Sequence, residues 1–355
     1  MRVLYFGTYE RDYPRNAQVI SCLRGAGVEV RELHKPVWEG QRHKLSLGAR
    51  GLARMALAEV RLALGSAKDT DVVIVGYPGH LDMLAARRVA RGRPIVFNPL
   101  VSLEDTMVGD RGLVKQQSLA AKGMRFVDRR AFRWADLVVA DTAAHAHYFV
   151  ERFGLSTDRI AVSYVGAEDR LFRPGPREKH GFHVLFVGKL IPLHGLETIL
   201  AAAALHPEIE FRIVGSGQLA DVLSRIPANV HWEPWIEYEQ LPAQYRSAGC
   251  ALGIFGTSDK AARVIPNKAF HALATETALV TADTPAAREL LKDERDAILV
   301  PPGDPEALAG AVHRLAAEPD LRRRIAAQGR ATYELHAAET VLGRRWRTLL
   351  ERVAS

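Results

Sequence analysis

The stretch HVLFVGKLIPLHGLETIL, residues 183–200, decides the fold. Its first part, Val184–Val187, is rich in β-branched and aromatic residues and predicts a buried parallel strand. Gly188 follows this strand directly, and Gly195 precedes a segment with the composition of a helix. A strand, a glycine, a loop and a helix N-terminus bring free backbone N–H groups and a positive dipole end to one point, which suits a phosphate. Lys189 would add a full positive charge there.

The size and composition of the chain set the broad class. With 355 residues it is long enough for two domains with separate cores. No apolar run reaches the roughly 18 residues needed to span a bilayer, and the N-terminus MRVLYFGTYE predicts a strand rather than a signal peptide. We therefore expect a cytoplasmic protein. Cys22 and Cys250 are far apart and lack metal-ligand neighbours, so we expect buried free thiols.

The net charge of +7 lies entirely in the first half of the chain. Residues 1–170 hold 26 Lys and Arg against 19 Asp and Glu, whereas residues 171–355 hold 22 against 22. Such a bias attracts anionic partners. We find no nucleic-acid-binding motif, so nucleic acid is not an expected partner.

Residues 42–68 contribute much of this charge. They carry six basic residues and one acidic residue, Glu59, with Leu45, Leu52, Met55 and Leu62 on an apolar face. A basic amphipathic helix can rest on an anionic membrane, here at its inner face. The alternative is an ordinary surface helix packed on the sheet.

The first half begins with a βαβ unit. Met1–Gly7 predicts a short buried strand, and a polar loop follows it. Asn16 is expected to cap a helix that is closed by Gly25 and Gly27, after which Val28 begins the second strand.

Two later strands place polar side chains at the carboxyl edge of this sheet. Strand 71–75 leads into the loop that contains His80, which either faces a ligand or is a structural turn residue. Strand 94–97 leads into a loop with Glu104 and Asp105. Either carboxylate could orient an acceptor hydroxyl, or it could cap a helix that begins near Met107.

Several motifs of the second half resemble one family. Gly188-Lys189, four residues and then His194-Gly195 is similar to the donor-side loop of the GT4-like retaining glycosyltransferases, where the second basic residue is usually lysine. The turn that contains Gly166 and Glu168 and the sequence from Phe172 to Pro174 resemble the passage between that family's two halves. A Gly-x-Gly at Gly215 and the run from Arg263 to Asp304 continue the resemblance, which is strongest over residues 159–304.

This resemblance implies the GT-B fold, an α/β architecture of two Rossmann-like doubly wound domains that face each other across a cleft. It implies an acceptor-side domain over residues 1–175 and a donor domain over residues 176–335. The last helix, within residues 336–355, would cross back onto the first domain. The run 174–180 is the expected interdomain linker.

The function that the resemblance implies is a retaining, metal-independent transfer of a hexosyl-type unit. The donor would be a nucleotide-diphosphate sugar, and the acceptor a hydroxyl of a glycan, a glycolipid or a small-molecule natural product. No cofactor is expected, and the leaving phosphate oxygen would take the acceptor's proton. The implied catalytic residues are Lys189 and Lys268, with Asp105. The implied donor-binding residues are Gly7, Gly188, Lys189, His194, Gly215, Trp235, Ile236, Arg263, Ile265, Asn267, Lys268, His271 and Glu289, and the acceptor-side residues are Tyr13, Asn16, His80, Glu104 and Asp105.

The sequence departs from the family at three of these positions. Arg263 and His271 stand where the family commonly has two glutamates, one touching the donor sugar and the other the ribose. A carboxylate accepts two ribose hydrogen bonds, whereas a neutral imidazole accepts only one, so donor affinity or identity is expected to differ. His194 replaces the usual lysine. If the diphosphate protonates it, activity should fall as the pH rises through its titration; if it is a turn residue, its removal should leave the rate unchanged.

Two other functions remain open. The departures at Arg263 and His271 are consistent with a sugar-nucleotide-binding protein without turnover. A GT-B epimerase or phosphorylase is the other alternative; the latter would need inorganic phosphate. Trp235 either stacks on the nucleobase or fills the core.

Overall fold

The computed structural model describes residues 1–11, 13–37, 49–176 and 181–355. They form two compact units. Unit 1 comprises Met1–Val108, Gly112–Tyr164 and Glu339–Ser355, and unit 2 comprises Gly109–Arg111 and Val165–Ala338. Each unit has one parallel six-stranded sheet with helices against it, which confirms the prediction of two Rossmann-like domains.

Unit 1 alternates strands and helices. Its sheet has the order β2-β1-β3-β4-β5-β6, with all neighbouring pairs parallel. The strands are β1 Arg2–Gly7, β2 Glu29–His34, β3 Val72–Val75, β4 Ile95–Phe97, β5 Leu137–Ala140 and β6 Ile160–Val162. The helices between them are α1 Pro14–Gly25, α2 Ala49–Ala63, α3 Met83–Ala90, α4 Leu119–Trp134 and α5 Ala143–Phe153.

Unit 2 repeats this arrangement, with the strand order β12-β11-β10-β7-β8-β9. The strands are β7 His183–Val187, β8 Glu210–Val214, β9 Val230–Glu233, β10 Cys250–Leu252, β11 Ala278–Ala282 and β12 Ile298–Val300. The helices are α6 Leu196–Leu205, α7 Leu241–Ser247, α8 Asn267–Ala274, α9 Pro285–Leu290, α10 Pro305–Ala317 and α11 Pro319–His336.

The last helix, α12 Glu339–Ala354, returns to unit 1 as predicted. It packs closely on α1, because a Cβ on Gly343 would lie only 2.5 Å from the Cys22 carbonyl oxygen. Its Trp346 and Leu350 join one face of the unit 1 sheet together with α1, whereas α2 to α5 pack on the other face. Each face of the sheet is therefore covered, as the apolar strands require.

The chain passes from unit 1 to unit 2 after Tyr164, whereas the predicted domain boundary lies after residue 175. The reason lies at Phe172, whose ring stacks on His271 of unit 2 at a centroid distance of 3.9 Å. Residues 177–180 of the predicted linker and residues 42–48 of the predicted basic segment lie outside the described residues.

Two local predictions were wrong. Asn16 does not cap α1, which begins two residues earlier because Pro14 can occupy a first-turn position without losing a hydrogen bond. The helix expected near Met107 is present but begins earlier, since residues 103–110 are helical and Asp105–Asp110 form a turn of π-helix, so Glu104 and Asp105 lie within it and do not cap it. Cys22 and Cys250 are buried free thiols, as predicted. Among the described residues, no helix combines the length and the apolar character needed to cross a membrane.

Candidate active site

The topology of unit 2 fixes where a ligand would bind. Strands β7 and β10 are neighbours, and the chain leads from β7 to β8 on one side but from β10 to β11 on the other. In doubly wound sheets this reversal opens a crevice beyond the carboxyl ends of the strands. Gly188 lies at that end of β7, and Gly215 lies at the end of β8.

The floor of this crevice is bare main chain. Gly215 has φ +137°, and a Cβ there would lie 1.9 Å from the Gly188 carbonyl oxygen. The next loop contact is similar, because a Cβ on Gly217 would lie 2.6 Å from the Leu190 carbonyl oxygen. These positions accept only glycine, since a side chain would force the two loops apart.

Lys268 reaches this floor from α8, of which it is the second residue. It is 5% exposed, and its Nζ lies 3.9 Å from the centroid of the Phe186 ring. A Cβ on Gly188 would lie 2.6 Å from that Nζ. Among the residues that the structure describes, the Nζ has no hydrogen-bond acceptor, and burial holds the lysine's pKa well below its ordinary value. A bound anion would therefore stabilise the ammonium form strongly.

His194 meets Lys268 at the same glycine. The Cβ position of Gly188 lies 3.2 Å from the His194 Cε1 atom, and the ring Nδ1 is hydrogen-bonded to the Lys189 carbonyl oxygen. Burial, and next the charge of Lys268, hold the pKa of His194 well below its usual range. The imidazole is therefore neutral at physiological pH. Its protonation by a bound diphosphate stays a prediction, and the exposed Lys189 contributes its charge from the loop.

The approach to α8 holds the other predicted residues of this segment. Arg263 ends a 3₁₀ turn over Ala261–Arg263 and is half-buried, Ile265 is buried, and Asn267 is the first residue of α8. Glu289 is half-buried on α9, which packs against that turn. Arg263, Ile265 and Asn267 thus lie at or just before the N-terminus of the helix that carries Lys268.

His271 follows Lys268 by one turn but lies in an aromatic cluster. Its ring stacks on Phe172 with an interplanar angle of 8° and meets Tyr238 and Tyr245 edge-on. Burial, with a smaller contribution from Lys268, lowers the pKa of His271 to about 3. The side chain is therefore a neutral packing group, and its predicted ribose contact stays a prediction.

Trp235 does not fill the core. It is 71% exposed and lies in the loop after β9, beside the half-buried Ile236. Its indole N–H donates to a Glu237 carboxylate oxygen at 3.3 Å. The core alternative was wrong, and stacking on a nucleobase stays a prediction.

Arg111 joins this site although the sequence did not indicate it. It belongs to Gly109–Arg111, the short segment between β4 and α4 that is part of unit 2, and its carbonyl oxygen accepts a hydrogen bond from Gln218 Nε2 at 3.0 Å. Gln218 follows Gly217 in the loop that touches Leu190. The Arg111 Nε is buried without an acceptor in the described part of the chain, and its charge helps to lower the pKa of His194. Only the tertiary fold brings it here, so no local pattern could have identified it.

The carboxyl edge of the unit 1 sheet carries the acceptor-side residues. Gly7 ends β1 with φ +132°, and a Cβ there would lie 2.3 Å from the Asp82 Oδ2 atom. Asp82 accepts hydrogen bonds from the Thr8 backbone N–H at 2.8 Å and from its hydroxyl at 2.9 Å. Gly7 is thus required for this carboxylate to approach, and its predicted contact with the donor stays a prediction.

Asn16 and Tyr13 join the loops after β1 and β3. The Asn16 carboxamide oxygen accepts from the Tyr5 hydroxyl and the Tyr77 N–H, and its NH₂ group donates to the carbonyls of Glu10 and Tyr77, all at 2.9 Å. All four hydrogen-bonding positions of the amide are therefore occupied. Tyr13 packs its ring on Tyr77 at 4.6 Å.

A buried carboxylate, Asp128, organises the loop after β4. It is fully buried on α4 and accepts hydrogen bonds from the Ser102 hydroxyl and from the N–H groups of Leu103 and Glu104, at 2.8 to 3.0 Å. His80 is also buried, with Nε2 3.4 Å from an Asp128 oxygen, and burial lowers its pKa. The structure thus gives His80 a packing position. Asp128 was missed, although it lies on the buried helical stripe of Ala121 and Ala131.

Glu104 is held in an ion-pair cluster and Asp105 lies beside it. Glu104 oxygens accept from Arg125 and Arg152 at 2.5 to 3.0 Å. Burial raises its pKa, but the two arginines outweigh that effect, and the pKa is lowered overall. Asp105 begins the π-helical turn, and its N–H donates to the Ser102 hydroxyl at 3.2 Å.

One group in the described residues has the composition of a metal site. The ligand atoms of His206, Glu208 and His313 lie within 4.8 Å of one another. His206 follows the C-terminus of α6, whereas the crevice lies at its N-terminus, a helix length of about 15 Å away. The group is thus remote from Gly188 and Lys268.

Comparisons with known proteins agree with this architecture. The family model described as "Glycosyl transferase 4-like domain" matches residues 2–166, and the model described as "Glycosyl transferases group 1" matches residues 181–318. A D-inositol 3-phosphate glycosyltransferase from Thermomonospora curvata is 30% identical over 237 residues, which cover 54% of this chain and 52% of that protein. The chain spans about half the length of the first curated relatives that it matches.

Solved structures extend the likeness to the whole chain. A sucrose-phosphate synthase from Thermosynechococcus elongatus superimposes with a TM-score of 0.76 at 16% identity, covering 99% of both chains. A structure of Anabaena Alr3699/HepE in complex with UDP-glucose gives a TM-score of 0.72 at 15% identity, covering 99% of this chain and 100% of that one. At these identities the likeness shows a shared fold.

Proposed function

Because this chain belongs to the group 1 glycosyltransferases of the GT-B fold, we propose that it transfers a sugar from a nucleotide-diphosphate donor to an acceptor hydroxyl, with retention of configuration and without a metal. The observation that carries this proposal is the Lys268 amino group, buried at the carboxyl edge of the second sheet without an acceptor among the described residues. A leaving diphosphate would supply the missing negative charge.

The proposed reaction requires the protein mainly to stabilise charges that develop in the transition state. As the bond between the sugar and the phosphate breaks, positive charge grows on the ring and negative charge collects on the diphosphate. Lys268 and the N-terminus of α8 would stabilise the negative charge on the diphosphate, and Lys189 would contribute its charge from the exposed loop after β7. Prearranged groups of this kind commonly contribute several kcal/mol to a rate. Arg111 would add a further positive charge from the segment before α4.

One feature of unit 1 supports transfer to a hydroxyl without a general base. Its buried carboxylates Asp82, Asp128 and Glu104 are engaged by protein donors, so none of them is available as a strong general base. A mechanism in which the leaving phosphate oxygen accepts the proton needs no such base. The acceptor would be a glycan, a glycolipid or a small natural product. The predicted cytoplasmic location and the membrane contact of residues 42–68 belong to this proposal.

The residues present favour a donor without a divalent metal. Buried Lys268 would neutralise a diphosphate without a metal, with Lys189 adding charge from the exposed loop, and the His206 group lies at the far end of α6. A sugar-nucleotide-binding protein without turnover is the second candidate, because His271 is locked in an aromatic stack.

A panel of nucleotides separates these candidates. Thermal unfolding should be measured with nucleoside diphosphates and their sugar conjugates. A ligand at 100 times its dissociation constant should stabilise the protein by about 2.7 kcal/mol. The stabilising donor should then be hydrolysed slowly in the presence of EDTA, and nuclear magnetic resonance should show the anomeric configuration of the donor in the first-formed product.

The outcomes are distinct. If no nucleotide stabilises the protein, the donor site is wrong. Stabilisation without hydrolysis or transfer supports the non-catalytic protein. Inversion at the anomeric carbon would contradict the proposed retention of configuration. Loss of activity in EDTA would contradict the proposed metal-independent transfer.

A further inference from the structure

The outward side of one helical layer of unit 1 is a continuous surface, which we call the α2–α4 face. Leu62 of α2, Met83 of α3 and Phe132 of α4 pack on the same side of the sheet. Helix α3 packs against both α2 and α4. The Arg88 side chain, for example, donates to the Ala63 carbonyl oxygen at 3.1 Å. Side chains that point away from the sheet on these helices therefore share one surface.

Large apolar side chains stand out from this surface. Leu57 and Val60 on α2 are 50% and 58% exposed, and Leu64 just after α2 is 77% exposed. Leu84 on α3 and Phe126 on α4 are 67% and 63% exposed. Single exposed apolar residues are common, but such a group on adjacent helices marks an interaction surface.

The charges of the same three helices are almost all positive. Their sequences contain ten Lys and Arg and two acidic residues. The two acids do not counter this charge at the surface, because Asp128 is fully buried and Glu59 is half-buried; Glu104, in the segment before α4, neutralises one of the ten cations, Arg125. Burial raises the pKa of Glu59 to about 10, so that side chain is neutral. Arg54, Arg61 and Arg87 are among the exposed cations.

Aromatic and cationic groups alternate where α3 meets α4. The Arg87 and Arg130 guanidinium carbons lie 5.3 and 4.6 Å from the centroid of the Trp134 ring. Arg130 also lies 5.7 Å from the Phe126 ring. Tryptophan with an apolar body beside a cation is the combination that favours the boundary between lipid headgroups and acyl chains.

We propose that the α2–α4 face binds the surface of a bilayer that contains anionic lipids. The positive charges would meet lipid phosphates while Leu57, Leu84 and Phe126 enter the headgroup layer. Charge alone would suit any polyanion, but exposed leucines would remain in water on a nucleic acid. The surface extends the contact predicted for residues 42–68 to two further helices, and it is independent of the proposed catalysis.

Co-sedimentation with vesicles of phosphatidylglycerol and phosphatidylcholine tests the charge requirement. The protein should bind these vesicles and not vesicles of pure phosphatidylcholine. Replacing Arg87 and Arg130 by Gln should weaken binding about thirtyfold, at about 1 kcal/mol for each cation. The matched control is Arg344→Gln with Arg345→Gln, two exposed arginines on α12 at the other side of the sheet, which should bind as the unchanged protein does.

The apolar requirement has its own variant. Leu57→Gln with Leu84→Gln should weaken vesicle binding about tenfold or more, whereas Leu335→Gln, at a 68% exposed leucine of α11, should not. Circular dichroism melting should show that each variant is folded. Equal binding to neutral vesicles, or unchanged binding of both α2–α4 variants, overturns the proposal. A dimer in light scattering that Leu57→Gln with Leu84→Gln dissociates, without vesicle binding, assigns the face to a second copy and also overturns it.

Discussion

The carboxyl edges of the two sheets differ in whether their buried charged side chains have hydrogen-bond partners. In unit 1, Asp82 is held by Thr8, Asp128 by the loop over residues 102–104, and Glu104 by two arginines. In unit 2, the buried Lys268 has no acceptor among the described residues. A satisfied charge holds a loop in place, whereas an unsatisfied one favours a ligand of opposite sign. The first edge is therefore suited to an uncharged hydroxyl, and the second to an anion.

Replacement of Lys268 by Met should give the largest effect. The rate at saturating donor should fall about 100- to 1,000-fold, because a cation aimed at the leaving group is lost. The free energy of unfolding should stay the same or rise, since a buried ammonium is removed. Steady-state kinetics and urea unfolding measure the two quantities.

Lys292→Met, at an exposed lysine of the same unit, is the control for this variant. A Lys268→Met protein that keeps its activity and becomes less stable would show that the lysine is structural, and the contrast between the two edges would be lost.

Replacement of Asp128 by Asn tests whether its hydrogen bonds stabilise the carboxyl edge of the unit 1 sheet. An amide cannot accept all three hydrogen bonds from residues 102–104, so the free energy of opening in this region should fall by about 3 kcal/mol. Hydrogen exchange of peptides from β4 and α4 should then be about 100-fold faster. Glu151→Gln makes the same chemical change at an exposed side chain of unit 1 and should leave exchange unchanged.

Arg111→Gln asks whether the segment before α4 contributes to the anion site. The rate of sugar transfer at saturating donor should fall about tenfold, as expected for one partly exposed cation near a developing charge. The thermal midpoint should remain within about 2 °C, because a single partly exposed arginine contributes little to stability. Arg225→Gln, at another arginine of unit 2, serves as the comparison. Equal rates for the two variants would remove Arg111 from the site.

The buried histidines should make unit 2 sensitive to acid. The pKa of His194 and that of His271 are both lowered by burial, so the unfolded chain takes up protons below about pH 6.5 that the folded unit refuses. Stability is thus full above that pH and falls towards about pH 3, by about 1.4 kcal/mol per pH unit for each histidine.

His271→Phe keeps the stack on Phe172 and removes one titrating group. Urea midpoints of the variant between pH 4 and 7 should depend on pH by about one proton less than those of the unchanged protein. His147→Gln, at an exposed histidine of unit 1, should keep the original slope. Identical slopes for all three proteins would show that His271 is charged in the fold.

Trp235→Ala should give the smallest effect. Because the indole is 71% exposed, its loss should leave the thermal midpoint unchanged. If it stacks on the donor base, the apparent affinity for the nucleotide should fall about tenfold at most. Isothermal titration with the nucleoside diphosphate measures this change, and an unchanged affinity would place the base elsewhere.

The sequence predicted the architecture because local patterns specify it. Strands such as Val72–Val75 and the Val184–Val187 run are continuous apolar segments that end in polar or glycine-rich loops, so their order and type could be predicted. The convergence of Gly188, His194 and Lys268 could also be predicted, since helix starts and strand ends meet at one edge of a parallel sheet. Their protonation depends on burial, which the spacing does not indicate.

Side chains that reach across the fold were not predictable. Asp128 accepts hydrogen bonds from a loop more than twenty residues earlier in the chain. Arg111 belongs to unit 2, although the residues on either side of its short segment belong to unit 1. Asn16 has the composition of a helix cap, but its carboxamide joins two loops. Each of these contacts depends on tertiary packing rather than on the local pattern of the sequence.

The contact between Gly215 and the Gly188 carbonyl has a consequence for redesign. Two abutting peptide planes leave no room for a substituent, so changes of ligand preference cannot arise from that surface. Variation must come from other residues predicted to contact the donor, such as Arg263, Trp235 and Glu289. A library that randomises these residues and leaves both glycines fixed should contain more folded members than one that includes the glycines.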